Sequence, residues 1–344
     1  MIRRLPSLAC TATLAGLMLT STASHAQTLT VSMFVPASHP MMKAAGQWCG
    51  EVSKVTDKRV RCNMLPKPVT SPPGTFDAIR DGQADVSASI HGYTPGRFVL
   101  TSIAEFPFLG DSAEITSVAY QRIHERHLAK LDEHKGLKVL AVFTHGPGDI
   151  YVNSDKPIHR LADLDGKKFR VGGGMVNDVA KALGANTILK PAAESYELMS
   201  SGVVDGVFFP AESVNVYRLE KFIKSRTKVP GGLYTTSFAM VMNADTWGRI
   251  SKADQAAIDK VSGEHLARIM GREWDASDRI GQETLDKLKV DSSPSPQALV
   301  TEISDRTKGL EQGWFQAVKG KGLSDPDKVL AEFRAEIAKE QQKR

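Results

Sequence analysis

The chain has 344 residues, 44 Lys+Arg against 39 Asp+Glu, and 41% hydrophobic content. That length exceeds what one compact core ordinarily holds, and the balance of apolar and charged residues excludes a disordered, collagen-like or coiled-coil chain. The formal charge of +5 is dispersed rather than gathered into a basic stripe, which gives nucleic-acid binding no footing.

The first 26 residues read as a secretory signal peptide. Arg3 and Arg4 form a positive start, Pro6 to Thr20 is small and apolar, and Ser24-His25-Ala26 is a small-x-small cleavage pattern before Gln27. The apolar stretch is too short to span a bilayer, and Cys10 stands too close to the N-terminus for a lipoprotein signal. Cleavage between Ala26 and Gln27 removes 26 of the 344 residues and leaves 318, with Arg3 and Arg4 lowering the charge to +3. No later segment reads as a membrane span, so a soluble, exported protein is expected. Export also colours the remaining cysteines, Cys49 and Cys62. An oxidising compartment favours a disulfide between them, closing a loop of about 14 residues, over two separate buried thiols.

Thr28 to Val35 alternates polar and apolar residues as a strand does. Ser38 before His39-Pro40 reads as the N-cap of a helix reaching about Thr56. Val60 to Leu65 is a second strand, and the four prolines between Pro66 and Gly74 make a loop. Phe76 to Asp81 is a short helix, Val86 to Ile90 a strand, Ala113 to His134 a helix and Leu137 to Thr144 another strand. This alternation predicts parallel sheets with crossover helices.

Phe76-x-x-Ile79-x-x-Gly82-x-x-Asp85 returns 120 residues later as Tyr196-x-x-Met199-x-x-Gly202-x-x-Asp205. Each copy reads as helix, glycine C-cap, Asp turn and strand, the second strand being Val207 to Phe209. Two α/β lobes of similar topology explain the echo, and a crevice between them would hold a ligand at the strands' carboxyl ends. Between Lys252 and Lys289, apolar residues fall at helical spacing without proline. They predict a helix of about 57 Å crossing both lobes, straight or kinked near Gly271 or Gly281. A broken pair of helices is the alternative.

Catalytic signatures are sparse. There is no Gly-x-Ser-x-Gly elbow and no Walker loop, and Gly172-Gly173-Gly174 lacks dinucleotide spacing, reading instead as a place of close backbone approach. His124-Glu125-Arg126-His127 is one residue short of zincin spacing. Neither a metal nor a cofactor is expected. Within Leu161 to Val171, alternation sends Arg170 to the face opposite Phe169 and Val171, just before the glycines. A guanidinium there can hold a carboxylate through two charge-assisted hydrogen bonds, or simply join a surface salt bridge.

Taken in order, several segments resemble the solute-binding proteins of TRAP transporters, the DctP-like family. They are His39-Pro40, Asp77 to Asp85, Phe106-Pro107-Phe108-Leu109, Asn153 to Val171, Glu194 to Gly206, Met240 to Asn243, and Trp247 with Ser251 to Ile258. The resemblance implies an α/β, bilobal periplasmic-binding-protein fold, its two lobes joined by hinge strands and a long helix crossing both. Lobe I is expected to take residues 27–145 with 235–280, and lobe II residues 146–234 with 281–344. It further implies a periplasmic, non-enzymatic and monomeric receptor that passes a small organic carboxylate to the small and large membrane subunits, without inserting in the membrane.

The family's carboxylate-clamping arginine falls on Arg170. Ser38, His39, His91, Tyr93, Thr144 and Gly146 lie in loops matching family contact loops, and Tyr234 joins them as a candidate ligand residue. Sialic-acid-binding members carry a second Arg in the loop that here reads Thr144-His145-Gly146-Pro147-Gly148, and an Asn where Phe209 precedes Pro210. Both departures strip polar contacts, leaving Phe208 and Phe209 as an aromatic wall. They point to a branched hydroxy- or keto-acid or an aromatic acid rather than a sugar acid. An ATP-driven (ABC-type) binding protein and an exported enzyme acting on an organic acid are the competing readings.

Overall fold

The computed structural model describes residues 26–292 and 294–343; the leader reading on residues 1–25 lies outside them. Among the described residues ten strands form two five-stranded sheets. In lobe I these are β1 (Gln27–Val31), β2 (Val60–Met64), β3 (Val86–Ile90), β4 (Leu137–Thr144) and β10 (Ser237–Asn243), in the order β2-β1-β3-β10-β4. In lobe II they are β5 (Asp149–Val152), β6 (Lys168–Val171), β7 (Asn186–Leu189), β8 (Gly206–Phe209) and β9 (Ser225–Thr227), in the order β7-β6-β8-β5-β9. Each sheet has three parallel strands followed by one antiparallel strand, β10 in lobe I and β5 in lobe II. Each antiparallel strand arrives directly from the edge strand of the other lobe. Two crossovers therefore link the strands of the sheets, His145 to Gly148 and Lys228 to Thr236.

The helices are α1 (Pro40–Val55), α2 (Thr75–Arg80), α3 (Ala113–Ile123), α4 (Met175–Ala182), α5 (Ser195–Ser200), α6 (Glu212–Val216), α7 (Ala244–Arg249), α8 (Lys252–Lys260), α9 (Gly263–Lys287), α10 (Gln297–Lys319) and α11 (Pro326–Gln341). Among the described residues no helix is long and apolar enough to cross a membrane. The 120-residue echo is structural: α2 maps onto α5, and Gly82 and Gly202 both close their helices at positive φ, 76° and 69°. The Asp85 carboxylate accepts the Thr30 N–H of β1 (2.7 Å), and the Asp205 carboxylate accepts the Lys168 N–H of β6 (2.7 Å). Both aspartates thus pin a strand start to the neighbouring parallel strand.

Several local expectations change. The N-cap of α1 is His39, whose Nδ1 accepts the Met41 N–H at 3.1 Å, and not Ser38. The helix expected from Ala113 to His134 ends at Ile123, widens into a π turn at His124–Leu128 and stops at Asp132 in the left-handed region. The single helix over Lys252–Lys289 is two, α8 and α9. Gly263 takes φ 56°, and the Ser262 hydroxyl bonds back to the Ile258 carbonyl (2.8 Å), ending α8 there. Of the segment assigned to lobe II, α11 lies instead against α3 of lobe I, where Arg122 pairs with Glu336 and Glu340 at 3.0 Å. Cys49 and Cys62 are disulfide-bonded and tie α1 to β2.

Candidate functional site

The parallel strands β1, β3, β6 and β8 point their carboxyl ends at one another across the seam between the lobes, the position at which open α/β sheets bind ligands. A small cavity of about 40 Å³ lies there. Phe34 and His39 come from beyond β1, Tyr93 from beyond β3, and Arg170 from β6; Phe208, Phe209, Glu212 and Tyr217 come from β8 and the segment after it. The two crossovers contribute His145, Tyr234 and Thr236, and α9 contributes Trp274.

Arg170 is 2% exposed. Its Nε and Nη2 both donate to the Lys190 carbonyl, at 2.8 and 2.7 Å, and its guanidinium lies 4.4 Å over the Phe209 ring. One edge of the fork is thereby consumed in positioning, and the Phe209 face attracts the cation. Among the described residues no carboxylate stands within ion-pair distance of Arg170. A buried cation without a counter-charge is costly, and an incoming anion relieves that cost.

Aromatic rings make up much of the wall. Phe34 meets Tyr93 edge-on at 5.8 Å, Phe209 stacks on Tyr217 at 5.6 Å, and Phe238 packs on Trp274 at 5.0 Å. Burial pushes His39 down to about 3, with His145 adding to the shift. Burial likewise takes His145 down to about 4, with Arg170 lowering it further. Both imidazoles are neutral near pH 7, so Arg170 supplies the positive charge of the wall. Burial raises the Glu212 carboxyl to about 8, and Asp278 adds to the rise.

Of the residues expected from sequence, Arg170, His39, Tyr93, Phe208, Phe209 and Tyr234 line this cavity. Ser38 lies at the mouth of a neighbouring apolar groove with Met42 and Met64. Thr144 is spent on the lobe I core, its N–H donating to Ser117 Oγ at 2.9 Å. Gly146 faces α9, where a Cβ would collide with Asp278. His91 points into lobe I, bonding Ser237 Oγ (3.0 Å) and His134 Nε2 (2.8 Å) and stacking on Phe76. Arg97 pairs with Asp77 at 2.7 Å. His124 abuts His134, and His127 pairs with Glu332; among the described residues no group of His, Cys, Asp and Glu is placed to hold a metal ion. Gly173 and Gly174 carry positive φ, and a Cβ on Gly92 of lobe I would lie 2.7 Å from the Gly173 carbonyl oxygen, so this is a close approach between lobes.

His145, Glu212, Tyr217 and Trp274 were not anticipated. The sequence signal for His145 was its place in the loop after β4, between Thr144 and Gly146. Trp274 had only its helical spacing, and Glu212 and Tyr217 had none.

The family model for bacterial extracellular solute-binding proteins, family 7 (DctP), matches residues 31–304. A TRAP periplasmic solute-binding protein from Bordetella bronchiseptica, solved with bound (R)- and (S)-mandelate, is 46% identical with a TM-score of 0.88 over 91% of this chain and 99% of that one. A TRAP solute-binding protein specific for aromatic acids, from a marine metagenome and in complex with meta-hydroxyphenylacetate, is 29% identical with a TM-score of 0.83 over 91% and 99%. A TRAP solute-binding protein from Rhodoferax ferrireducens, with copurified benzoate, is 27% identical with a TM-score of 0.84 over 92% and 98%. The family is one of receptors rather than catalysts. With four-fifths of its length matched by that family model, the chain belongs to the bacterial extracellular solute-binding proteins of family 7 and is a carboxylate-binding receptor of the TRAP type.

Proposed function

We propose that this receptor captures a small aromatic carboxylate between its lobes, with Arg170 as the anchor for the carboxylate. The observation that carries this reading is a buried guanidinium with no carboxylate partner among the described residues, set in an aromatic cavity. With Nε and one Nη2 proton held by Lys190, the Nη1–Nη2 end of the fork is left to pair with the ligand. The rings supply apolar area and edge-to-face contacts for a phenyl group, and offer a polyhydroxylated sugar acid few partners. The aromatic acids bound by the three relatives support this choice over a branched aliphatic acid. Family membership supports delivery to a gradient-driven permease pair rather than to an ATP-driven one. Export to the periplasm after cleavage at Ala26/Gln27, and action as a monomer, complete the reading.

Calorimetric titration with benzoate, phenylacetate and mandelate tests it. Binding of at least one acid in the micromolar range, about −8 kcal/mol, is expected. Arg170→Lys is expected to weaken it by roughly 1.5–3 kcal/mol, about 10- to 150-fold, because an ammonium cannot reproduce the planar fork. Circular dichroism confirms that the variant folds. Unchanged affinity in a folded Arg170→Lys protein would remove Arg170 from the site.

A further inference from the structure

Of the side chains that line the cavity, Glu212 has a fully buried oxygen that no described residue hydrogen-bonds. Glu212, at the start of α6, is 3% exposed and lines the cavity. Its Oε1 accepts from Trp274 Nε1 at 3.3 Å and lies 3.9 Å from His39 Nε2. Its Oε2 has no hydrogen-bond partner among the described residues. Its backbone N–H is occupied by Asp278 Oδ1 at 2.8 Å, which holds the residue in place.

Three other polar groups in the wall are already engaged. Arg170 is braced on Lys190, the His145 Nδ1 is bonded to the Gly146 carbonyl, and the Tyr93 hydroxyl accepts the Ala192 N–H at 3.1 Å. A buried oxygen left without a partner is expensive, and a wall that keeps one is built for a ligand that supplies the missing hydrogen bond. A phenyl ring cannot supply it, and the ligand's carboxylate is claimed by Arg170. A hydroxyl can, since it both donates and accepts. Burial and the nearby Asp278 keep the Glu212 carboxyl largely protonated near neutral pH, so it does not repel an anionic ligand.

Resting on the aromatic-acid reading above, we propose that Glu212 is a specificity residue that recognises a hydroxyl on the ligand, so that the site selects hydroxylated aromatic acids over their deoxy counterparts. A site built to bond a hydroxyl discriminates strongly against the analogue lacking it, because its own polar group then stays unpaired.

The test is a set of affinity ratios by calorimetry for two ligand pairs, mandelate against phenylacetate and 3-hydroxybenzoate against benzoate. The proteins are wild type, Glu212→Met and Glu212→Gln. Wild type is expected to prefer the hydroxylated member of at least one pair by about tenfold or more. Glu212→Met is expected to bring that ratio to within about twofold, while Glu212→Gln, which keeps a donor and an acceptor, retains most of it. Ratios near one for both pairs in wild type, or an undiminished ratio in Glu212→Met, overturn the proposal. Failure of all four acids to bind wild type instead overturns the aromatic-acid reading and takes this one with it. Circular dichroism certifies each fold, and Glu212→Ala stands in if the methionine variant does not fold.

Discussion

Three histidines meet beneath the sheet of lobe I, away from the cavity, in a pocket that excludes protons. The Nε2 atoms of His91 and His134 are 2.8 Å apart, so one ring donates and the other accepts, and both cannot be charged. Burial drives His124 down to about 4 and His134 to about 3, and takes His91 well below its ordinary value, with Arg97 nearby lowering both His91 and His134. In the unfolded chain these groups bind protons near pH 6.5. Between about 6.5 and 4 the unfolded state therefore holds protons that the folded state refuses. Their contribution is present in full above 6.5 and is lost as pH falls. His134→Gln, which still offers His91 a partner, is expected to shrink the loss of stability between pH 7 and pH 5 by about 1–2 kcal/mol, read from urea unfolding at both values. An unaltered loss would refute the assignment. At this scale the sequence was legible where chemistry is local. Arg170 stands at a strand end before glycines, whereas His91 sits in a contact loop yet turns inward, because its ring completes a cluster with His134, 43 residues away.

Helix α9 binds the lobes together by capping one helix in each. Asp275 accepts the Ala113 N–H at 2.6 Å, at the start of α3 in lobe I, and Asp278 accepts the Glu212 N–H at 2.8 Å, at the start of α6 in lobe II. Two glycines bring α9 close enough. A Cβ on Gly271 would overlap Glu114 Cα, and one on Gly281 would overlap the Ala211 carbonyl oxygen. Gly281→Ala gains helix propensity of up to about 1 kcal/mol but must displace backbone, and overpacking of this kind typically costs 1–3 kcal/mol or more. A net loss of about 1–2 kcal/mol in denaturant unfolding is expected; a stabilised variant would show that the approach is not rigid. The repeat of helix, glycine and aspartate was readable because it is written in ten consecutive residues. The pairing of β10 with β3 and β4 was not, since it joins segments about 150 and 100 residues apart. Nor was the break before α9, because the apolar spacing runs through Ser262 and Gly263 without a gap.

Across the whole molecule the lobes touch on the cavity's rim through a few polar links. Glu105 of lobe I is 3% exposed; its Oε2 accepts the Met175 N–H at the start of α4 in lobe II (2.9 Å), while its Oε1 accepts the Ser237 N–H and hydroxyl of lobe I at 2.8 and 2.7 Å. Tyr93 reaches Ala192 from one lobe to the other, and the Gly92 backbone lies against Gly173 and Gly174. A receptor that closes on its ligand sets its apparent affinity by the closed fraction as well as by ligand contacts. Removing a link between lobes should therefore weaken binding without touching the ligand. Glu105→Gln keeps the shape but exchanges a carboxylate that accepts three hydrogen bonds for an amide with a single acceptor oxygen. It is expected to weaken affinity for the carboxylate ligand by about 5- to 30-fold, equivalent to roughly 1–2 kcal/mol, and to enlarge the radius of gyration of the ligand-free protein in X-ray scattering. Saturating ligand should restore the wild-type radius, since ligand binding then drives closure. Wild-type affinity and radius in the variant would mean that Glu105 braces the hinge in every state rather than favouring the closed one.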